Sequence, residues 1–186
     1  MWLVGLVHYV INAIVMFDRI RNFILARKAP ISYARKLGVH VGDECRFIDV
    51  CGRTFGSEPY LIRIGDHVEL AAEVTFITHD GGAWVLRDEF PDLDVFGDIE
   101  IGNNVFVGRR ATILPGTRIG NNCVIGAGAL VKGFVEANSV YAGVPARKLR
   151  TLDEYRDNMS DASLNTKRML PVDKKQVVID HFYKSD

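Results

Sequence analysis

Five histidines and three cysteines are the residues of this 186-residue chain best suited to act as bases, nucleophiles or metal ligands near neutral pH. Of His8, His40, His67, His79 and His181, only His79 stands where a regular sequence pattern breaks into a polar, aromatic stretch. Imidazole titrates near the working pH, so a histidine at such a break is a natural proton acceptor. Asp80 follows it directly, but neighbours on a strand point to opposite faces, which makes Asp80 a loop-entry residue rather than the partner of the imidazole. Asp88, Glu89, Asp92 and Asp94 are unranked alternatives for that partner. His40, His67 and His79 have no H-x-x-x-x-H-like pairing, so the sequence predicts no metal site. No Gly-rich loop between a strand and a helix is present to cradle phosphates. The cysteines are odd in number and lack C-x-x-C spacing, which argues against a disulfide framework and fits a reducing compartment.

The pattern that breaks at His79 is a repeat of six. Ile101, Val107, Ile113, Ile119, Ile125 and Val131 follow one another at that step, and Val105, Ala111, Thr117, Cys123, Ala129 and Val135 stand four residues after each. A period of six is too short for a helical pair but fits one short strand plus one corner, with three such units closing a triangular coil. The predicted fold is all-β, a parallel β-helix of hexapeptide repeats. Gly102, Gly108, Gly120 and Gly126 mark sharp turns between strands, where little side chain is tolerated. Stacking by whole coils places Asn103 and Asn104 beside Asn121 and Asn122 in a polar ladder. Cys45, Cys51 and Cys123 take small inward positions and read as buried filler.

Upstream, Ile64, Leu70 and Phe76 keep the step, with Val68 and Val74 four residues on, and Val41 and Phe47 form an earlier start. The phase slips between Phe47 and Ile64, where Gly52, Gly56 and Pro59 imply an irregular coil. It slips again after His79, and Val95 and Ile99 restore it. Residues 80–94 are therefore an excursion of flexible backbone, aromatic faces and carboxylates, and excursions from repeat proteins tend to carry function.

The remaining segments flank the repeat. Residues 1–33 open with an amphipathic helix: His8, Asn12, Arg19 and Asn22 share one stripe, leaving an apolar face that includes Trp2, Leu6, Tyr9, Ile20 and Ile24. This face packs on the body, on a sister subunit or on a membrane surface through residues 1–29, and Pro30 ends the helix. The apolar run falls just short of a span, and no secretory signal pattern brackets it. Residues 34–149 hold the β-helix, and residues 150–186 a C-terminal helical extension with Thr151 and Glu154 as a capping box and a second helix beginning at Pro171. With 23 basic and 23 acidic residues the chain has no net charge and no dense basic block, so no nucleic-acid partner is expected.

The repeats, Thr78-His79-Asp80, the excursion and Gly143-Val144-Pro145-Ala146-Arg147 together resemble the left-handed β-helix acyltransferases that use acetyl-CoA. Phe55-Gly56-Ser57-Glu58-Pro59-Tyr60-Leu61-Ile62 and Ile77-Thr78-His79-Asp80-Gly81-Gly82 resemble the O-acetyltransferases of bacterial capsule and lipopolysaccharide synthesis. The resemblance implies a left-handed coil, a homotrimer and direct acetyl transfer to a sugar or glycan hydroxyl with His79 as general base, while the cysteine usage and the basic residues after the apolar run imply a cytoplasmic location. It also implies that Arg109 and Ala127, with Phe106 in place of a frequent tryptophan, flank the pantetheine arm. Lys132, Arg147 and Arg150 would approach the nucleotide phosphates. Trp84, Asp88, Glu89, Asp92 and Asp94 are the candidate acceptor-binding residues. The competing readings are an N-acetyltransferase of an amino sugar, a carbonic-anhydrase-like metal enzyme and a non-catalytic β-helix scaffold.

Overall fold

The computed structural model describes residues 2–183. Its central part consists of three sheets of parallel strands that follow one another in rotation from Ile62 onward, the first coil having no strand on the third face. The first face stacks His40–Val41, Ile62–Ile64, Ile99–Ile101, Arg118–Ile119 and Phe134–Val135. The second stacks Arg46–Phe47, Val68–Leu70, Val105–Val107, Cys123–Ile125 and Ser139–Ala142, and the third stacks Thr75–Phe76, Thr112–Ile113 and Leu130–Val131. In the regular part, each residue pairs with its equivalent one coil on, Ile101 with Ile119, Val107 with Ile125 and Ile113 with Val131.

All twelve residues of the two six-step series are buried. The small second-series residues Ala111, Thr117 and Ala129 are fully enclosed, leaving room for the larger aliphatic side chains of the first series. Thr117 meets the cost of burying its hydroxyl by donating to the carbonyl of Leu114 at 2.6 Å. Toward the N-terminal end the core becomes aromatic, with the Phe55 ring 6.1 Å from Phe47 and 5.7 Å from Phe76.

The corners use two devices. Between the first and second faces, His67, Asn104, Asn122 and Asn138 all adopt left-handed backbone. Their side chains form a column: the Asn104 amide donates to Asn122 Oδ1 and the Asn122 amide to Asn138 Oδ1, both at 2.9 Å. The backbone N–H groups of Asp66 and Asn103 bond the side chains of Asn103 and Asn121 one coil on, at 2.8 and 2.7 Å. The glycines after each aliphatic residue tolerate no side chain, as the sequence reading has it, but their own backbone is not left-handed. A Cβ on Gly108 would stand 2.5 Å from the Ala127 nitrogen, and one on Gly120 2.7 Å from the Ala137 nitrogen. These glycines are required by the close approach of stacked coils, and the positive φ falls two residues later.

Two inward assignments also need correction. Cys123 is buried and Cys45 half-buried, but Cys51 is exposed and Val50 takes the enclosed position in the irregular first coil. Val95 is exposed in the neck of the excursion, so the repeat resumes only at Ile99.

At the N-terminal end, α1 spans Trp2–Lys28, and Pro30 both ends it and opens α2, Pro30–Leu37. Helix α2 packs on the first coil: Tyr33 and Ala34 are buried, and the Arg35 guanidinium donates to the carbonyls of Val41 and Gly42 at 2.8 and 2.9 Å. Ala26 and Leu25 of α1 belong to the same core, whereas Ile20 and Ile24 are exposed. The part of the apolar stripe carried by Ile20 and Ile24 thus faces away from the body in the single chain. The sequence assignments for the side chains of Trp2, Leu6, His8, Tyr9 and Asn12 fall outside the described side chains. At the other end, the chain turns at residues 143–146 and Arg147–Thr151 returns antiparallel to Ser139–Ala142. From Asp153 onward the chain forms a separate compact unit built on α3, Leu152–Asp161, and α4, Pro171–Tyr183, the latter opening at Pro171 as expected.

Gly108→Ala should lower stability by about 2 kcal/mol, because its methyl group meets backbone that cannot move aside without breaking the coil register. Gly81→Ala, where nothing lies within 4 Å of the added carbon, should be neutral or slightly stabilising. Urea unfolding midpoints of the two variants check the contrast.

Candidate active site

Two departures from the regular coil meet at one corner. The first coil is longer than the regular ones, with Val41 paired to Ile64, and the surplus chain carries Glu58 and a 3-10 turn at Pro59–Leu61. Gly56, in left-handed backbone, lets this segment pass close to the next coil: a Cβ there would stand 2.9 Å from the Phe76 carbonyl oxygen. In the second coil the chain leaves the third face after Phe76 and rejoins the first at Ile99. The neck of that excursion is an antiparallel bridge of His79 with Phe96, held by Asp80 N–H to the Val95 carbonyl at 2.8 Å and Gly97 N–H to the Thr78 carbonyl at 2.9 Å.

His79 is thereby anchored by backbone on both sides of its Cα while its ring stays part-exposed. Its Nδ1 lies 3.0 Å from Glu58 Oε2, and the buried Thr78 hydroxyl donates to the same oxygen at 2.6 Å. The Thr78 hydrogen bond first, and the His79 imidazole after it, hold the Glu58 carboxyl below the usual carboxylate range against the opposing effect of burial. An ionised carboxylate accepts only, so in the neutral ring the bond to Glu58 calls for the proton on Nδ1 and the lone pair on Nε2. The pair is an imidazole oriented by a carboxylate, an arrangement chemically able to accept a proton from a hydroxyl.

The ring opens onto a cavity of about 530 Å³ lined by Ile77, His79, Asp80, Val95, Phe96, Leu114, Pro115 and Lys132 among others. The walls are largely apolar, and Lys132 contributes a cation. A groove of about 560 Å³ on the outer side of the first face includes His40, which has no carboxylate partner among the described residues. His67 bonds Asn104 Oδ1 in the corner column at 2.8 Å, and His181 stacks edge-on to Phe182 in α4.

The structure brings His79 and Lys132 together and leaves the other sequence candidates elsewhere. Asp80 is the loop-entry residue expected, its Oδ1 accepting from Gly82 N–H at 2.9 Å to start the 3-10 turn Gly81–Leu86. Asp94 pairs with Arg87 at 2.7 Å across the excursion, and Asp88, Glu89 and Asp92 are exposed. Trp84 projects from the loop with 74% of its surface exposed. Phe106 lies on the outer side of the second face, Arg109 is paired with Glu73 at a corner, and Ala127 occupies the coil after Arg109 at that corner. Arg147 and Arg150 are exposed on the returning terminal strand. Apart from Asp80 at its rim, none of these lines the cavity, nor does exposed Cys51. Among the described residues no three His, Cys, Asp or Glu side chains gather as a metal site.

Glu58, the residue that touches His79, was absent from the sequence candidates. Its signal was the phase slip of the first coil, which displaces a carboxylate to the corner beneath the excursion.

The sequence profile described as bacterial transferase hexapeptide (six repeats) matches residues 98–133. Protein CapG of Staphylococcus aureus is 47% identical over 86% of this chain and 92% of its own length. The galactoside O-acetyltransferase of Escherichia coli K12 is 39% identical over 52% of this chain and 47% of its own. WbbJ of the same organism, a putative lipopolysaccharide biosynthesis O-acetyl transferase, is 33% identical over 48% and 50%. The match therefore spans about half of each of these two acetyltransferases. A crystal structure of a hexapeptide-repeat acetyltransferase from Vibrio cholerae shares the fold at a TM-score of 0.53 and 21% identity, over 73% of this chain and 89% of that one.

Folding favours the ionised form of Glu58, so its contribution to stability is full above the ordinary carboxylate range and fades as pH falls through the lowered value. Replacing it by an uncharged isostere, Glu58→Gln, should flatten the acid limb of the stability profile while leaving the profile's shape above pH 6 unchanged. Thermal midpoints of parent and variant between pH 3 and 7 check this, and parallel acid limbs would show that the carboxylate is not held as described.

Proposed function

Because this chain belongs to the hexapeptide-repeat acetyltransferase family, we propose that it moves an acetyl group from acetyl-CoA to a sugar hydroxyl in cytoplasmic steps of surface-polysaccharide synthesis, on a left-handed β-helix. The observation that carries this reading is the Glu58–His79 pair at the mouth of an apolar cavity. Two relatives, an O-acetyltransferase of galactosides and a putative O-acetyl transferase of lipopolysaccharide biosynthesis, support a glycan hydroxyl as the acceptor.

In this reading the acceptor oxygen attacks the thioester carbonyl carbon as His79 Nε2 takes its proton. Glu58, held ionised by Thr78, stabilises the imidazolium that forms. Collapse of the tetrahedral intermediate breaks the C–S bond, and the imidazolium returns the proton to the departing thiolate. No covalent acetyl-enzyme intervenes. Lys132, within the cavity, is placed to meet an anionic part of either substrate. Phe106, Arg109 and Ala127 would flank the pantetheine arm and Arg147 and Arg150 the nucleotide, while Trp84, Asp88, Glu89, Asp92 and Asp94 would meet the acceptor from the loop. The excursion exposes Trp84, Val85, Leu86 and Phe90, a cluster that supports a homotrimer in which a neighbour covers the loop and completes each site.

His79→Ala should lower turnover by about 10²- to 10⁴-fold with little change in acetyl-CoA affinity. Thiol release with a panel of glycosides, alongside calorimetric titration with CoA, separates the two effects. Parental turnover in the variant, or an acetylated protein trapped when acceptor is withheld, contradicts direct transfer.

A further inference from the structure

Charge is distributed unevenly along the chain. Residues 1–36 contain six of the 23 basic residues, Arg19, Arg21, Arg27, Lys28, Arg35 and Lys36, and one of the 23 acidic residues, Asp18. The N-terminal segment is therefore +5 and the remaining chain −5. Such an asymmetry is the electrostatic footprint of an element that meets an anionic surface.

The second half of α1 adds an apolar face to that charge. At 100° per residue Phe23, Met16, Ile20, Ile24 and Phe17 fall in turn within an arc of about 120°. All five are exposed, from 48% for Ile24 to 66% for Phe17. The opposite side, through Leu25 and Ala26, is the one packed on the core, and Asn22 is tied to Lys36 of α2 at 2.6 Å. The body thus fixes which side of α1 faces outward. Arg19 borders the exposed arc on one side, and Lys28 and Arg21 on the other. Arg27 falls within the arc itself, between Met16 and Ile20, with its guanidinium carbon 4.6 Å from the Phe23 ring centre. An exposed apolar strip with cationic margins suits a helix lying in the plane of a bilayer interface, with aromatic and aliphatic side chains in the acyl boundary and the cations at headgroup level. Among the described residues no helix is long and apolar enough to cross a membrane.

We propose that α1 docks the protein flat on an anionic lipid bilayer through Met16, Phe17, Ile20, Phe23 and Ile24, with Arg19, Arg21, Arg27 and Lys28 meeting lipid phosphates. A second copy of the same segment is a poorer occupant, since it would bring another +5 segment against this one. The inference is independent of the acetyl-transfer reading, because none of these residues lines the His79 cavity.

Flotation of the full chain with vesicles of phosphatidylcholine and phosphatidylglycerol at 7:3, against phosphatidylcholine alone, tests the proposal. The parent should float with the anionic vesicles, less so at 0.5 M than at 0.1 M NaCl, and weakly with the neutral ones. Arg19→Gln with Lys28→Gln should weaken partitioning by about 25-fold, at roughly fivefold per cation removed. Ile20→Glu with Ile24→Glu should abolish flotation while the mass by light scattering stays parental. A parent that stays with the unbound fraction, equal binding to both vesicle types, or a smaller mass in the Ile20→Glu/Ile24→Glu variant would overturn it, the last by placing the face between copies.

Discussion

A parallel coil stacks only when each strand lies directly over its predecessor, because every coil spends its amides and carbonyls on the coils above and below. The regular coils keep that condition with equal lengths of chain, as in the pairing of Ile101 with Ile119 and Val107 with Ile125, and surplus residues must be expelled at a corner. The chain carries two such surpluses in consecutive coils, where Val41 pairs with Ile64 and Ile64 in turn with Ile101. Both leave between the second-face strand of one coil and the first-face strand of the next. The register of the stack thus brings Glu58 and His79, far apart along the chain, within hydrogen-bond distance.

Much of this architecture was legible because the repeat is a statement about burial. The two six-step series name twelve enclosed positions, and all twelve are enclosed. The polar ladder at the Asn corners followed from the same arithmetic, since equal coil lengths bring like residues together. What the repeat did not convey were contacts made where it fails. Cys51 was counted inward by extending the step into the lengthened first coil, where a slip of one position turns the enclosed site over to Val50. Glu58 has no periodic position, so no count could assign it a face. The four carboxylates of the excursion drew attention by proximity in sequence to His79, yet Asp94 is used to brace the loop against Arg87.

The glycines teach a different lesson. Their spacing was read correctly, but two physical causes produce the same letter: a left-handed turn, or a neighbouring backbone too close for a Cβ. At Gly108 and Gly120 the second cause operates, and the left-handed turns fall instead to Asn104, Asn122 and Arg110. Distinguishing the two needs the distance between coils, which a single sequence does not contain. The outward face of α1 was likewise visible as a stripe, while its direction was set by Leu25, Ala26 and the bond of Asn22 to Lys36.

The chemistry assigned to this corner depends on which nitrogen of His79 bears the proton. Glu58 accepts from Thr78 and His79 on one oxygen and is held toward its ionised form, which in the neutral ring places the proton on Nδ1 and the lone pair on Nε2. Long-range ¹H–¹⁵N correlation of the ¹⁵N-histidine-labelled protein, at a pH where the ring is neutral, reads this directly. The account predicts the Nδ1–H tautomer for His79, lost to a tautomer mixture in Glu58→Gln. A predominant Nε2–H tautomer in the parent would contradict it, since the nitrogen facing the acceptor could then take no proton.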